Sequence, residues 1–291
     1  MLVKDLRQAQ SILPSINLKV DASRLEDFFE RAQDWVADCI LGDDLIEQLE
    51  SGSDGSGAED QDAALRKLTC RVICEMAYLA AVDELNLQLT EAGFVVLNNQ
   101  NMSPASMQRT DALKQSLQSL VNGDCDALVN HLLKFSLEHS DDGHDIYKDW
   151  RGIEQYAYLT SAFMPTMAIM RQNTSETQTQ TWKGFYELIP KMVNALNTTV
   201  ASYVSADEIE TLLELYRDRL LDDNQRKVLR WIRFSVMADI SGNHDNACHF
   251  AITARNYMIQ YESSFREFVN SDRYHLPAPF DFGDGTVANA L

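Results

Sequence analysis

The sequence predicts a mainly α-helical, multi-helix bundle made of two diverged helical repeats and closed by an extended C-terminal arm. Three observations predict it. The 291 residues include only 12 Gly and 6 Pro, while Leu, Ala, Gln and Glu abound, and these are strong helix formers. Apolar residues recur at steps of three and four over long stretches. A shift of the chain against itself by 164 residues superposes one apolar pattern on another.

In chain order, "INLKVDASRLEDFF" reads as an extended entry into a helix, with Ser23 and Glu26 spaced as a capping box. Leu25, Phe28, Phe29, Ala32, Trp35, Val36, Cys39 and Ile40 then form one apolar face. Gly42 is placed to end that helix, and Asp43 and Asp44 suit the positive end of the next. Residues 51–62, SGSDGSGAEDQD, read as a flexible acidic loop. A long helix is predicted over 63–90, with Leu65, Leu68, Val72, Met76, Leu79, Val82 and Leu89 on its buried side. "EAGFVVLNNQNMSP" reads as a turn or short strands, and a second long helix covers about 105–138. After the polar loop 138–145, a helix at about 146–172 breaks near Pro165. The Thr/Gln-rich stretch 173–181 is a linker, and helices are predicted from 182 to 204, over 223–240 and over 245–270.

The 164-residue offset lays Leu25 on Ile189, Phe28 on Met192, Ala32 on Leu196, Val36 on Val200 and Ile40 on Val204. The turn Gly42-Asp43-Asp44-Leu45 meets Ala206-Asp207-Glu208-Ile209. The resulting organisation is a first helical unit over 1–145, a second over 146–270, and an arm over 271–291.

A hydrophobic content of 45% is enough for a sizeable core. The net charge of −19 repels phosphate backbones and anionic membranes, so sequence-specific nucleic-acid binding is not expected. The five cysteines are odd in number and scattered, which fits reduced thiols. MLVKDLRQAQSILPS has no apolar run or cleavage signal, so no signal peptide is expected, and no apolar stretch is long enough to span a membrane. No phosphate-cradling glycine motif is present.

Three clusters invite a chemical reading. His139, Asp141, Asp142, His144 and Asp145 include metal-ligand types, but a Gly-containing polar loop gives them no rigid frame. Cys70 and Cys74 are one helical turn apart, and a structural metal site needs about four ligands. Buried free thiols are the preferred reading. His244, Cys248 and His249 suggest a nucleophile pair, yet neighbouring side chains diverge by about 100° on a helix. No catalytic residue, metal or cofactor is therefore expected. The densest basic run, "RDRLLDDNQRKVLRWIRF", places Arg226, Arg230 and Arg233 at helical spacing. That run suits a solvated face or a contact with an acidic neighbour better than a DNA site.

"SILPSINLKVDASRLEDFFERAQDWVADCILGDDLIEQLE" resembles the start of a group of phage and prophage proteins, mostly from Bacteroidetes, that carry a domain of unknown function. "EAGFVVLNNQNMSPAS", "YKDWRGIEQYAYLTSAFMPTMAIM" and "FYELIPKMVNAL" resemble its later sections, so the resemblance covers about residues 10–240. The helix, Leu-Gly and helix element is also similar to head–tail connector (adaptor) proteins of tailed phages. The resemblance implies a non-enzymatic virion protein, assembled in the host cytoplasm, that forms a homo-oligomeric ring beneath the portal. Its partners would be the portal and neighbouring tail or neck proteins, with DNA at most passing through the lumen. The residues expected to carry interactions are Trp35, pinning the first helix pair; Arg226, Arg230 and Arg233, facing an acidic neighbour; and Tyr274, Phe280 and Phe282, anchoring the arm. The alternatives are a bacterial helical scaffolding protein and, less favoured, a metal-dependent enzyme.

Overall fold

The computed structural model describes residues 1–3, 6–12, 23–51, 61–85, 87–90, 93–96, 107–138, 146–174, 179–275, 280–281 and 287–288. These form helices and two short antiparallel hairpins, so the protein is a mainly α multi-helix bundle. The chain divides into two compact units, Met1–Tyr156 and Ala157–Leu291.

The first unit contains α1 (Leu6–Ile12), α2 (Ser23–Val36), α3 (Asp43–Ser51), α4 (Gln61–Leu85), α5 (Met107–Glu138) and α6 (Ile146–Arg151). The boundary falls inside α7 (Glu154–Thr160), later than residue 145, because α6 packs against α3 and α5. On α2, Leu25, Phe28, Phe29, Ala32 and Val36 are buried, as the three-and-four spacing demands, while Trp35 is half-buried.

The end of α2 is not an ordinary stop. The chain widens into one π turn, Ala37–Leu41, in which the Gly42 N–H donates to the Ala37 carbonyl five residues back at 2.8 Å. A π turn leaves carbonyls out of the regular ladder. Here side chains from 110 or more residues later satisfy them. Trp150 Nε1–H donates to Ile40 O at 2.7 Å, and Gln155 Nε2 donates to Asp38 O at 3.3 Å. Gly42 has φ 77°, and a Cβ there would lie 3.2 Å from Ile153 Cδ1. The backbone angle therefore favours glycine, and any larger residue would also crowd the tip of Ile153.

α4 lies between α2 and α5 and packs on both. Its buried positions include Leu65, Thr69, Val72, Ile73, Cys74, Ala77 and Ala81. Leu68, Met76, Leu79 and Val82, expected on its buried side, are half-buried. A helix contacted from two sides has no single apolar stripe, and small residues occupy the close approaches. α4 also ends at Leu85, short of 90. Leu89 falls in β1 (Leu87–Thr90), paired with β2 (Gly93–Val96) in the register Thr90↔Gly93.

The second unit contains α8 (Met167–Gln172), α9 (Trp182–Thr198), α10 (Ala206–Arg217), α11 (Asp223–Ile240), α12 (His244–Gln260) and α13 (Arg266–Val269). The helix expected over 146–172 is three helices, α6, α7 and α8, interrupted at Gly152 as well as near Pro165. The helix expected over 245–270 stops at Tyr261. Side-chain caps define the starts: Thr181 for α9, Ser205 for α10, and an Asp222–Gln225 capping box for α11.

The same order of elements occurs in each unit. α2, a π turn, α3, α4 and α5 in the first correspond to α9, a 3-10 turn at Val200–Ser202, α10, α11 and α12 in the second. α11 packs on α9 and α12 as α4 packs on α2 and α5. At the 164-residue offset Leu25/Ile189, Phe28/Met192, Ala32/Leu196, Val36/Val200, Ile40/Val204 and Leu45/Ile209 are buried in both members. Leu49 is buried while its counterpart Leu213 is half-buried.

Tyr274 packs on its own unit: its ring meets Phe268 edge-on at 5.8 Å, its hydroxyl bonds Glu262, and its carbonyl accepts from Arg255 Nη2 at 3.4 Å. Phe280 opens β3 (Phe280–Asp281), which pairs with β4 (Val287–Ala288), and Phe282 lies outside the described residues. All five thiols are free. Cys39, Cys70, Cys74 and Cys125 are buried and Cys248 is half-buried. Burial pushes the Cys70 thiol up to about 11 and Cys74 to about 12.

Candidate functional site: an arginine cleft in the second unit

The expected interaction residues Arg226 and Arg233 come together on α11, and the structure adds Tyr216 at the end of α10 with Arg219 and Leu221 just beyond it. Tyr216, Arg219, Leu221, Arg226, Leu229 and Arg233 line an open cleft of about 470 Å³. Arg230 stands exposed on the same helix, its guanidinium 5.4 Å from the Phe234 ring centroid. Leu221 and Leu229 are buried, so the cleft has an apolar floor beneath a cationic rim.

Two strained backbone positions bear on this cleft, Arg219 lining it and Phe163 holding Arg233. Among the described residues only Phe163 (φ 60°) and Arg219 (φ 57°) have positive φ without being glycine. α10 ends in a Schellman turn: Leu220 N–H donates to Leu215 O at 2.8 Å and Arg219 N–H to Tyr216 O at 3.2 Å. The same turn closes α11, where Asn243 bonds Ala238 and the left-handed residue is Gly242, at φ 78°. Glycine fills this position at little cost, whereas an L side chain there costs on the order of 1–2 kcal/mol. At the end of α10 the chain carries an arginine instead, and leaves Leu220 beside it 68% exposed. Arg219→Gly is therefore expected to raise the stability of the protein by about 0.5–1 kcal/mol, strain relief being partly offset by a floppier unfolded chain. A thermal unfolding midpoint that falls would refute the strain.

Arg233 is the best anchored of the cationic groups. Its Nε–H donates to the carbonyl of strained Phe163 at 2.9 Å, and its guanidinium sits 5.5 Å from the Tyr216 ring centroid. Burial lowers its pKa, with Tyr216 opposing, and it stays a cation. Phe163 meets the same Tyr216 ring edge-on at 5.7 Å. Arg217 holds the preceding segment, with Nε–H to Thr160 Oγ1 at 2.9 Å and Nη2–H to Ala157 O at 3.1 Å. Arg226, by contrast, pairs with Asp223 at 2.9 Å across side chains 62% and 90% exposed, a contact worth little and easily exchanged. The arrangement is a fixed guanidinium, a loosely held one and a third on a strained turn. Such a set suits recognition of carboxylates by paired hydrogen bonds rather than bond-making chemistry.

Trp35, the remaining expected residue, is half-buried on α2, whereas Trp150 is fully buried and fixed to the π turn. Residues 139–145 lie outside the described residues, and among the described residues no group of three or more potential metal ligands occurs. His244 and Cys248 do not form a pair: His244 Nδ1 bonds Asp239 Oδ1 at 2.6 Å. No helix of the described residues is long and apolar enough to cross a membrane.

Two buried carboxyls escaped the sequence reading. Glu75 on α4 is 1% exposed, its Oε2 is buried without a hydrogen-bond partner, and its nearest carboxylate influence is Asp124 of α5, which Arg71 approaches at 3.3 Å. Burial first, then the Asp124 charge and hydrogen bond, push the Glu75 carboxyl up to about 8, with Arg71 opposing. Glu208, in the first turn of α10, accepts the Phe268 N–H at 2.9 Å and is pushed up to about 7 by burial. The signal for the first was available: Arg71, Glu75 and Tyr78 share one helical face.

A family model described as "Family of unknown function (DUF6712)" matches residues 26–160. That span holds α2 through α7 and excludes the arginine cleft. No curated protein and no solved structure matches the chain.

Proposed function

We propose that this protein is a non-enzymatic phage virion protein, a head–tail connector that assembles as a ring beneath the portal. The observation that carries the reading is the recurrence of one helical arrangement in both units, with the central helix packed on its two long neighbours each time. A chain built by duplicating one rigid block is a suitable wedge for lateral assembly, and a heterologous contact that closes generates a ring. The acidic balance of 44 carboxylates against 25 basic side chains suits a conduit along which DNA slides without being held. The opening resemblance to phage proteins points the same way, by analogy.

The test is assembly. The full chain, mixed with the portal protein encoded in the same genome, is expected to form closed rings on portal particles in negative-stain images. A chain that neither binds the portal nor forms rings, and whose gene has no portal or terminase gene nearby, is not a connector.

A further inference from the structure

We propose that the arginine row of the second unit is a docking surface for the acidic face of α2 in a second copy of the chain, giving a head-to-tail contact between copies. The inference rests on the connector reading for its biological setting, but its physical basis is separate.

The row and its occupant have comparable spacing. Arg226, Arg230 and Arg233 follow one another at steps of four and three on α11, and Arg219 adds a fourth guanidinium at the mouth of the cleft. On α2 and its π turn, Glu26, Glu30, Asp34 and Asp38 follow one another at steps of four, and all four are exposed. Residues at these steps form the ridges by which helices pack, about 5–6 Å apart between Cβ atoms. A guanidinium ridge laid along a carboxylate ridge of similar spacing can form several charge-assisted pairs at once.

Each ridge is unfavourable alone. Like charges four residues apart repel along a helix, and both rows keep such pairs on exposed faces. Asp43, Asp44 and Glu47 on α3 extend the negative field, and all three are exposed. The chain as a whole is strongly acidic, so its one dense basic run meets carboxylates on almost any second copy. Among these, α2 offers a regular row. The left-handed Arg219 fits the same account, since glycine would close α10 with less strain but would remove the guanidinium from the rim. The contact uses different surfaces on the two partners. It is therefore heterologous, and continues into a ring or a filament according to the rotation it imposes.

Sedimentation velocity of the full chain, at low and high salt, tests the contact. The wild type is expected to self-associate, at least about tenfold more tightly in 50 mM than in 500 mM NaCl, because exposed charge pairs are screened. Arg226→Glu with Arg230→Glu should abolish association, as should Glu30→Lys with Asp34→Lys, each with unchanged helicity by circular dichroism. Mixing these two double variants should restore association, since each supplies the surface the other has reversed. Arg219→Gly should weaken association while leaving the chain folded and no less heat-stable. A wild type that stays monomeric at low salt overturns the proposal. So does loss of association from the arginine variant alone, which assigns the cleft another occupant. Rings that form on the portal with the charge-reversed variants would sink this contact and leave the connector reading standing. Salt-sensitive self-association without portal binding would do the reverse.

Discussion

Replacing Trp150 with alanine is expected to destabilise the first unit by about 3–5 kcal/mol, read as a shift of the urea midpoint. The indole is completely buried, meets Tyr156 edge-on at 5.0 Å, and donates its N–H to Ile40 O. Alanine removes the ring and leaves a void, and it also strands the Ile40 carbonyl that the π turn has already taken out of the helical ladder. Those losses add because the same side chain prevents both. Trp150→Phe separates them: it keeps most of the volume, loses only the hydrogen bond, and should cost about 1–3 kcal/mol. A domain is typically stable by about 5–15 kcal/mol, so the alanine variant approaches the limit of folding. A loss under 1 kcal/mol in Trp150→Ala would mean that the indole does not hold the turn.

The second large effect is a dependence on pH that Glu75→Gln should reduce. In the folded state the Glu75 carboxyl is pushed up to about 8, against an ordinary value of 4.5. Between those values the folded protein holds a proton that the unfolded chain has released. Stability is therefore greatest below pH 4.5 as far as this group is concerned, and declines as pH rises toward 8, by at most about 1.4 kcal/mol per unit. The proton on Glu75 is what is lost, and two carboxylates then repel across α4 and α5 with Arg71 as the nearby counter-charge. Glutamine keeps the shape and a donor for Asp124 but cannot ionise. The variant should be more stable than wild type by about 1–3 kcal/mol at pH 8.5, with a shallower slope between pH 5 and 8 that Glu208, pushed up to about 7, still supplies. A slope in Glu75→Gln as steep as in the wild type would assign it to another group.

The helices of this protein were legible wherever one face meets the core. α2 shows it, since Leu25, Phe28, Ala32 and Val36 recur at steps of three and four and are all buried. α4 was misread on its rotation because two neighbours cover it, so Thr69, Cys74 and Ala81 go inside while Leu68 and Leu79 stay half out. The π turn carries no residue-type signature: its carbonyls are satisfied by Trp150 and Gln155, contacts that local periodicity cannot reveal. Part of the cleft could be read, because Arg226 and Arg233, with Arg230 beside them, announce a basic row by spacing alone. Arg219 could not. A glycine after α10 would have signalled the left-handed turn, and the arginine that stands there conceals it. Tyr216 was missed for a related reason, as its ring gains meaning only once Phe163 and Arg233 converge on it.

The placement of the thiols has a practical corollary. The four buried sulfhydryls all belong to the first unit, and the half-buried one, Cys248, belongs to the second. Thiolates, not thiols, react with alkylating agents, so the pKa elevations of Cys70 and Cys74 compound the steric shielding. Modification chemistry on the native chain is thus confined to one position, and each further label records that the interior of the first unit has been breached. Two halves of similar architecture become separately observable without any added reporter.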